Sequence, residues 1–368
     1  MMEMVPQAAP MLRIYRYRAA VDAAIARVLD GGTAIGGAEV AAFEAAFAAF
    51  CGVGHAIGCG NGTDALVLAL RAAGIGPGDE VITVALTAHG TAQAIRLVGA
   101  VPIFVEVDSA TRTMDPAAAA AAITPRTAAL VPVHLYGQMA DMPALTALAA
   151  QQGLFLLEDC AQAHGAEMAG RRAGGWGHAA AFSFYPTKNL GAVGDGGAVV
   201  TQDAALAKRV RSQTNYGWSD ARRISDVVAG NSRLDTVQAA ILAALLPHLD
   251  EAIAERRAIA AALHLGIGGA VTLPRWDDGA VWHQFVIAHP ARDLLAASLS
   301  RDGIGTAVHY TPPLHWQPAF YRDAQPPLPI TERLAAEVLS LPIQPEVAGP
   351  ATQAIIDAVR RGAAECAR

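Results

Sequence analysis

The sequence predicts an α/β fold: a mainly parallel sheet covered by helices on both faces, followed by a smaller α+β unit. Three features carry this expectation. From about residue 55 to 200, short apolar runs alternate with stretches of helical period, the pattern of strand-helix-strand units. The runs are apolar along their length rather than alternating, which suits strands buried on both faces. About 30 residues of helical period, LDTVQAAILAALLPHLDEAIAERRAIAAALHL, then form a natural bridge to the second unit.

In order, the strand HAIGC (55–59) precedes the helix TDALVLALRAAG, EVITVAL (80–86) precedes TAQAIRLVGA, and VPIFVEV (101–107) precedes DPAAAAAAI. AALVPVHL (128–135) precedes MPALTALAAQQG, and LFLLEDC (154–160) follows. The alanine tract at 117–122 reads as an ordinary helix, because alanine is the best helix former and Asp115-Pro116 is a good helix entry. AFSFY (181–185) and GAVVT (197–201) read as further strands. Pro247 should kink the long bridging helix. Beyond it, WHQFVIAH, LLAASLSRDGI, GTAVHY, ERLAAEVLSL and ATQAIIDAVRRGAAECA predict the order strand, helix, strand, helix, helix. The expected division is 1–245 for the large unit, with the N-terminal segment, and 246–368 for the small one.

Composition narrows the function classes. With 53% hydrophobic and 16% charged residues in 368, the chain can bury a large core. Its net charge of −6 is spread without blocks, and no stripe of basic and aromatic residues suggests nucleic acid. The first residues lack the basic-then-apolar order of a secretory signal, and no uninterrupted apolar run reaches the roughly 18 residues of a membrane span. A cytoplasmic protein without membrane or nucleic-acid partners is expected. Cys51, Cys59, Cys160 and Cys366 have neither disulfide nor zinc-ligand spacing, so no metal is expected.

Three stretches could carry chemistry. In GNGTDALVLAL (60–70), a glycine-flanked turn at a strand end opens a helix, aiming free amides and the Thr63 hydroxyl at one point that suits a phosphate. Asn61, Thr63 or Asp64 could equally serve only as helix caps. In LLEDCAQAHG (156–165), an apolar strand ending in Glu158-Asp159 brings a carboxylate to the sheet's carboxyl edge, and Gln162 adds an amide there. The third stretch, FSFYPTKNLGAVGDGGAVVT (182–201), holds Lys188 among apolar, aromatic and glycine neighbours.

Lys188 and Lys208 are the only lysines, against 27 lysines and arginines together. Burial lowers an amine's pKa toward neutrality, a tuning that arginine does not allow. Lys208, beside arginines in ALAKRVRSQ, reads as a solvated helix position. Ser183 adds a hydroxyl five residues before Lys188. A phosphate cup, a carboxylate able to pair with a ring nitrogen and a tunable lysine are together the protein's share of pyridoxal 5′-phosphate chemistry.

The order GTDAL, PGDEVI, PVHLYGQ, EDCAQAHGA, FSFYPTKNLGAVGDGGAVVT and NSRLDTVQAAIL resembles the DegT/StrS family of nucleotide-sugar aminotransferases over about residues 30–350. The resemblance implies pyridoxal-phosphate enzymes of the aspartate-aminotransferase fold (fold type I), with a seven-stranded large domain, a small C-terminal domain, and homodimers sharing active sites at the interface. It further implies that Lys188 holds the cofactor as a Schiff base and shuttles a proton, with pyridoxamine 5′-phosphate as the amino-carrying form. Asp159 would pair with the ring nitrogen, Gln162 with the ring hydroxyl, and Ala161 would pack on one ring face. Gly62, Thr63 and Ser183 match phosphate contacts, and Asn231 matches an asparagine reaching the phosphate from the partner subunit.

At 87–91 the chain departs from the family's Thr-aromatic-x-Ala-Thr and reads Thr87-Ala88-His89-Gly90-Thr91. Either His89 stacks on the ring or a small residue such as Ala88 covers it. The resemblance is greatest to members that aminate C3 of a dTDP-linked 3-keto-6-deoxyhexose with glutamate as donor. Tyr185, His309, Tyr310 and His315 match positions near the sugar, and Arg222 and Arg223, after NYGW, are candidate diphosphate contacts. Amination at C4 is the alternative reaction, and a non-catalytic, cofactor-binding regulatory protein is the alternative class. Pyridoxamine-dependent dehydratases replace the lysine with histidine, so Lys188 argues against that chemistry.

Overall fold

The computed structural model describes residues 4–219, 223–321 and 325–367. Helices α1 (Pro10–Arg16), α2 (Arg18–Gly31) and α3 (Gly37–Cys51) lead in. The sheet-forming stretch follows as β1 (His55–Cys59), α4 (Gly62–Ala72), β2 (Glu80–Val84), α5 (His89–Leu97), β3 (Val101–Val105), α6 (Pro116–Ala121) and β4 (Thr127–Leu130). It continues through α7 (Met142–Gln152) and β5 (Phe155–Asp159), a small ribbon of β6 (Glu167–Met168) and β7 (Arg171–Arg172), then β8 (Ala179–Ser183), β9 (Gly197–Thr201) and α8 (Ala204–Gln213). Short acidic or amide side chains start four of these helices. Asn61, Asp115, Asp141 and Asp203 each accept a first-turn amide hydrogen bond, at α4, α6, α7 and α8.

Seven strands form one sheet in the order β1-β9-β8-β5-β4-β2-β3. β9 runs against both neighbours, and the remaining pairs are parallel. Successive side chains point to opposite faces of a strand. Leu156, Ala180 and Phe182 therefore meet Phe43 and Phe47 of α3 and Ile241 of α9 (Thr236–Leu245) on one face. Leu157, Ala179 and Ala181 meet Leu66 and Leu70 of α4, Ile95 of α5 and Val210 of α8 on the other. Phe43, Phe47 and Phe182 are fully buried, each worth roughly 1.5–3 kcal/mol relative to exposure. The same alternation sends Glu158, in phase with Leu156, to the phenylalanine side, and Asp159, in phase with Leu157, toward α4 and α5.

The bridging helix is broken as Pro247 requires: a 3-10 turn, Leu246–His248, separates α9 from α10 (Leu249–Ile267). By averaged hydropathy the run Thr236–Ala270 is long and apolar enough to cross a membrane, which the count of uninterrupted apolar residues missed. Its Ile241, Leu242, Leu245, Leu249, Ile253 and Leu263 are buried against protein, so core packing accounts for that composition.

The C-terminal α+β part pairs β10 (Phe285–Ala288) antiparallel with β11 (Val338–Leu341). Helices α11 (Arg292–Arg301), α12 (Pro329–Glu337) and α13 (Pro345–Cys366) complete it. Two expectations are corrected here. GTAVHY forms no strand: only Ala307 bridges, to Ser340. Pro312 and Pro313 follow at once and offer no amide to a ladder. The strand lies instead at Val338–Leu341, within the stretch expected to be helical, because a short wholly apolar run carries no period that separates the two states.

Candidate active site

At the carboxyl ends of β1, β5 and β8 and the start of α5, a cavity of about 330 Å³ is lined by Gly62, Thr63, Ala88, Gly90, Thr91, Asp159, Ala161, Ser183, Tyr185, Lys188 and Asp195, with Asn61 and Leu66. This is where open α/β sheets place their ligands. A larger cavity of about 760 Å³ near Trp276 is lined by Asp108, Asp115, Asp141, Asp277 and Asp278 but by no lysine, histidine or cysteine. Asp115 and Asp141 there cap helices, and Asp108 and Asp277 accept turn amides, so local structure accounts for those acids.

The floor of the small cavity is the first turn of α4. Asn61 Oδ1 accepts from Asp64 N–H at 2.9 Å, so the cap exists and takes the third amide of the turn. The amides of Gly62 and Thr63 have no intrahelical acceptors and remain for a ligand. A Cβ at Gly62 would lie 2.6 Å from the Ser183 Cβ, so glycine is what lets the helix start approach β8. Thr63 and Ser183 supply hydroxyls on the same lining.

Lys188 is half-buried in the loop after β8, its N–H bonded to Tyr185 O at 2.8 Å. Burial lowers its pKa to about 8, opposed by the charge of Asp159. Asp159 is buried; its Oδ2 accepts from Thr91 Oγ1 at 2.8 Å and its Oδ1 from Ala161 N–H at 3.1 Å. Burial nonetheless raises its pKa, against those hydrogen bonds and the charge of Lys188. Its neighbour Glu158 faces away and accepts from the amides of Gly174, Trp176 and Gly177 and from His134 Nε2 at 2.8–3.0 Å. Glu158, His134 and Cys160 lie within 4.8 Å of one another, but the Glu158 oxygens and both His134 nitrogens are committed to protein partners.

Gln162 is buried beside the cavity; its Oε1 accepts from Tyr136 N–H at 2.6 Å and its Nε2 donates to Tyr310 Oη at 3.0 Å. Tyr136 holds φ at 62°, a left-handed value unusual for a bulky residue, and so turns that amide toward Gln162. Burial pushes the Tyr310 phenol up to about 12. His309 bonds Ser340 Oγ through Nδ1 at 2.8 Å, its carbonyl accepts from Tyr136 Oη, and burial followed by the charge of Lys188 lowers its pKa.

Other expected residues lie elsewhere on the chain. His89 is exposed and outside the lining, whereas Ala88 belongs to it. His315 is buried, bonded to Glu332 at 3.1 Å and packed near Phe104, and is not among the lining residues. Asn231 is exposed and bridges Asn215. Arg223 is exposed and stacks over Trp218, and Arg222 lies outside the described residues. Lys208 is exposed on α8. Sequence reasoning missed Thr91 and Asp195; for Thr91 a signal existed, since it lies one helical turn from Thr87 at the head of α5.

The DegT/DnrJ/EryC1/StrS aminotransferase family profile matches residues 16–360. The chain belongs to this family. It is 49% identical over 354 residues to the dTDP-3-amino-3,4,6-trideoxy-alpha-D-glucose transaminase of Streptomyces venezuelae, covering 94% of this chain and 93% of that one. It is 47% identical to a UDP-N-acetyl-3-dehydro-alpha-D-glucosamine 3-aminotransferase of Acidithiobacillus ferrooxidans, covering 92% of each. Its fold superposes with a TM-score of 0.95 on the S. venezuelae DesV crystal structure in complex with a ketimine intermediate, at 47% identity over 98% of this chain and 99% of that one. The aminotransferase is therefore pyridoxal-phosphate dependent, with the fold of that group. Its residues fit the cofactor: first-turn amides and hydroxyls meet a phosphate, the buried Asp159 carboxylate forms no direct ion pair among the described residues, and burial lowers the Lys188 amine to a pKa of about 8.

Proposed function

We propose that this aminotransferase moves an amino group from glutamate to C3 of a dTDP-linked 3-keto-6-deoxyhexose, in the cytoplasm, as a homodimer. The observation that carries the site assignment is that Lys188, its pKa lowered by burial, and the buried Asp159, its pKa raised by burial, line one small cavity. Support for C3 comes from the relatives in S. venezuelae and A. ferrooxidans, both named for position 3 although their nucleotides differ. Exposed Tyr216, Ile224, Val227 and Val228 lie in the same surface stretch as Asn231, apolar area that a second copy would cover. In that dimer Asn231 reaches the partner's phosphate site. The boundary between the two units is placed at 245/246, at the break in the bridging helix.

In this reading Lys188 binds the cofactor aldehyde, and Asp159 holds the proton of the ring nitrogen. Pyridoxal phosphate, when bound, supplies the aldehyde that accepts an amino group and a ring that withdraws electrons. Thr63, Ser183 and the amides of Gly62 and Thr63 bind phosphate. Gln162, fixed by Tyr136, orients the ring hydroxyl, and Ala88 and Ala161 cover the ring faces, with His89 outside. Thr91 keeps Asp159 aligned. With a pKa of about 8, Lys188 is mostly ammonium at neutral pH but keeps a substantial amine fraction, so Nζ can both accept and return a proton at the reacting carbon. Tyr185, His309 and Tyr310 face the sugar.

The test joins trapping to turnover. Borohydride reduction of the holoenzyme followed by peptide mapping should label Lys188, and Lys188→Ala should be folded, colourless and inactive. Paired dTDP-3-keto and dTDP-4-keto sugars, analysed by NMR, should show amination at C3. A label at another residue would refute the site, and amination only at C4 would refute the substrate.

A further inference from the structure

We infer that Arg13 of α1 is a positioning residue for Lys188. Its guanidinium sits inside the loop after β8 and donates to four of that loop's carbonyls. Nη1 meets Lys188 O at 2.7 Å and Asn189 O at 3.0 Å; Nη2 meets Pro186 O at 3.2 Å and Gly191 O at 3.1 Å. Within the loop, backbone bonds run from Phe184 N–H to Gly196 O at 2.7 Å and from Lys188 N–H to Tyr185 O and Ala192 N–H to Phe184 O, both 2.8 Å, and none of them uses the carbonyl of Pro186, Lys188, Asn189 or Gly191. Among the described residues, those four carbonyls take their donors from Arg13.

The loop is shaped around this cation. A Cβ at Gly191 would lie 2.7 Å from Arg13 Nη2 and 2.5 Å from Pro186 O, so only glycine admits the guanidinium. The acids near this segment pair with Arg16, which meets Glu255 and Glu346, while Arg13 is turned inward and burial lowers its pKa. Desolvating a guanidinium is costly unless its hydrogens are used; here Nη1 and Nη2 are used, Nε has no partner among the described residues, and the planar fork matches carbonyls that a flexible ammonium could not hold together. The segment's other end is tied to the C-terminal part. Val5 N–H bonds Gly303 O and Gly305 N–H bonds Val5 O at 2.8 Å, and Gln344 bonds both backbone groups of Ala9 at 2.9 Å.

A lysine side chain has four rotatable bonds, so the direction in which its amine enters the cavity depends on a fixed backbone. Fixing the carbonyls of Lys188 and Asn189 supplies that. The inference rests on Lys188 being the reacting amine, which the borohydride label tests separately in the wild-type holoenzyme.

The experiment compares Arg13→Lys, Arg13→Ala and wild type by kcat and KM, and by the pH dependence of Lys188 acetylation in cofactor-free protein. Misplacing a reacting group by about 1 Å costs on the order of 10²-fold, so Arg13→Ala should lose roughly 10–100-fold in kcat with little change in sugar KM. The acetylation midpoint of Lys188 should shift, and added guanidinium should restore part of both. Arg13→Lys, which retains charge but not the fork, should fold and fall between the two. Wild-type kcat per folded molecule and an unshifted acetylation midpoint in both variants would overturn the inference, leaving Arg13 a structural contact. An unlabelled Lys188 in the wild type would instead overturn the site assignment.

Discussion

Glu158 and Asp159 are adjacent carboxylates at the end of one strand, both buried, and the sheet gives them opposite fates. Glu158 faces the phenylalanine layer and is saturated by three backbone amides and His134. Asp159 faces α4 and α5, has two donors, and is left with burial raising its pKa beside a lysine whose pKa burial lowers. A buried carboxylate whose acceptor capacity is filled by the protein serves the fold; one left short of donors and of a cation is available to a ligand.

The largest effect should come from removing the charge on the available side. Asp159→Asn should fold and bind cofactor but lose roughly 10²–10³-fold in kcat, because an amide cannot balance a positively charged ring nitrogen. Steady-state rates against cofactor occupancy measured on the same sample check it, and near-normal turnover would erase the distinction between the two acids. On the saturated side the balance should reverse. Glu158→Gln puts an NH₂ group against buried donors and should lower unfolding free energy by about 3–5 kcal/mol, with kcat per folded molecule unchanged. Urea unfolding measures the first quantity; an unaltered midpoint would place Glu158 outside the structural network.

Much of this contrast was hidden in the sequence for a definite reason. The strand-helix alternation and the isolated Lys188 were legible because they depend on neighbours along the chain. Which of Glu158 and Asp159 would face the cavity came only through the family resemblance, since alternation separates them but only the packing of α4 says which face holds the site. The Asn61 cap takes only the Asp64 amide, so the cap does not compete with a phosphate for the amides of Gly62 and Thr63. Arg13 gave no local signal, because the carbonyls it holds lie about 175 positions away. The expectation of His315 near the sugar rests only on the family resemblance; its bond to Glu332, 17 positions away and on α12, has no signal along the chain.

The same contrast recurs in two buried histidines and gives the smallest, most specific prediction. His134 has both ring nitrogens bonded, to Glu158 and to the amide of Ala140. His164 is fully buried near Phe182 and Phe184 with neither nitrogen partnered among the described residues. Burial, and then the charge of Lys188, lowers its pKa to about 3 from 6.5. Below pH 6.5 the unfolded chain therefore takes up a proton that the folded chain refuses, and stability falls with acidification until about pH 3. That one group should contribute a slope of about 1.4 kcal/mol per pH unit. His164→Leu, which keeps an apolar side chain among the phenylalanines, should lose less stability than wild type between pH 6 and pH 4 in urea titrations. The difference between the two curves reports His164 together with its charge coupling to His283, and parallel curves would mean that its imidazole finds a proton partner inside the fold.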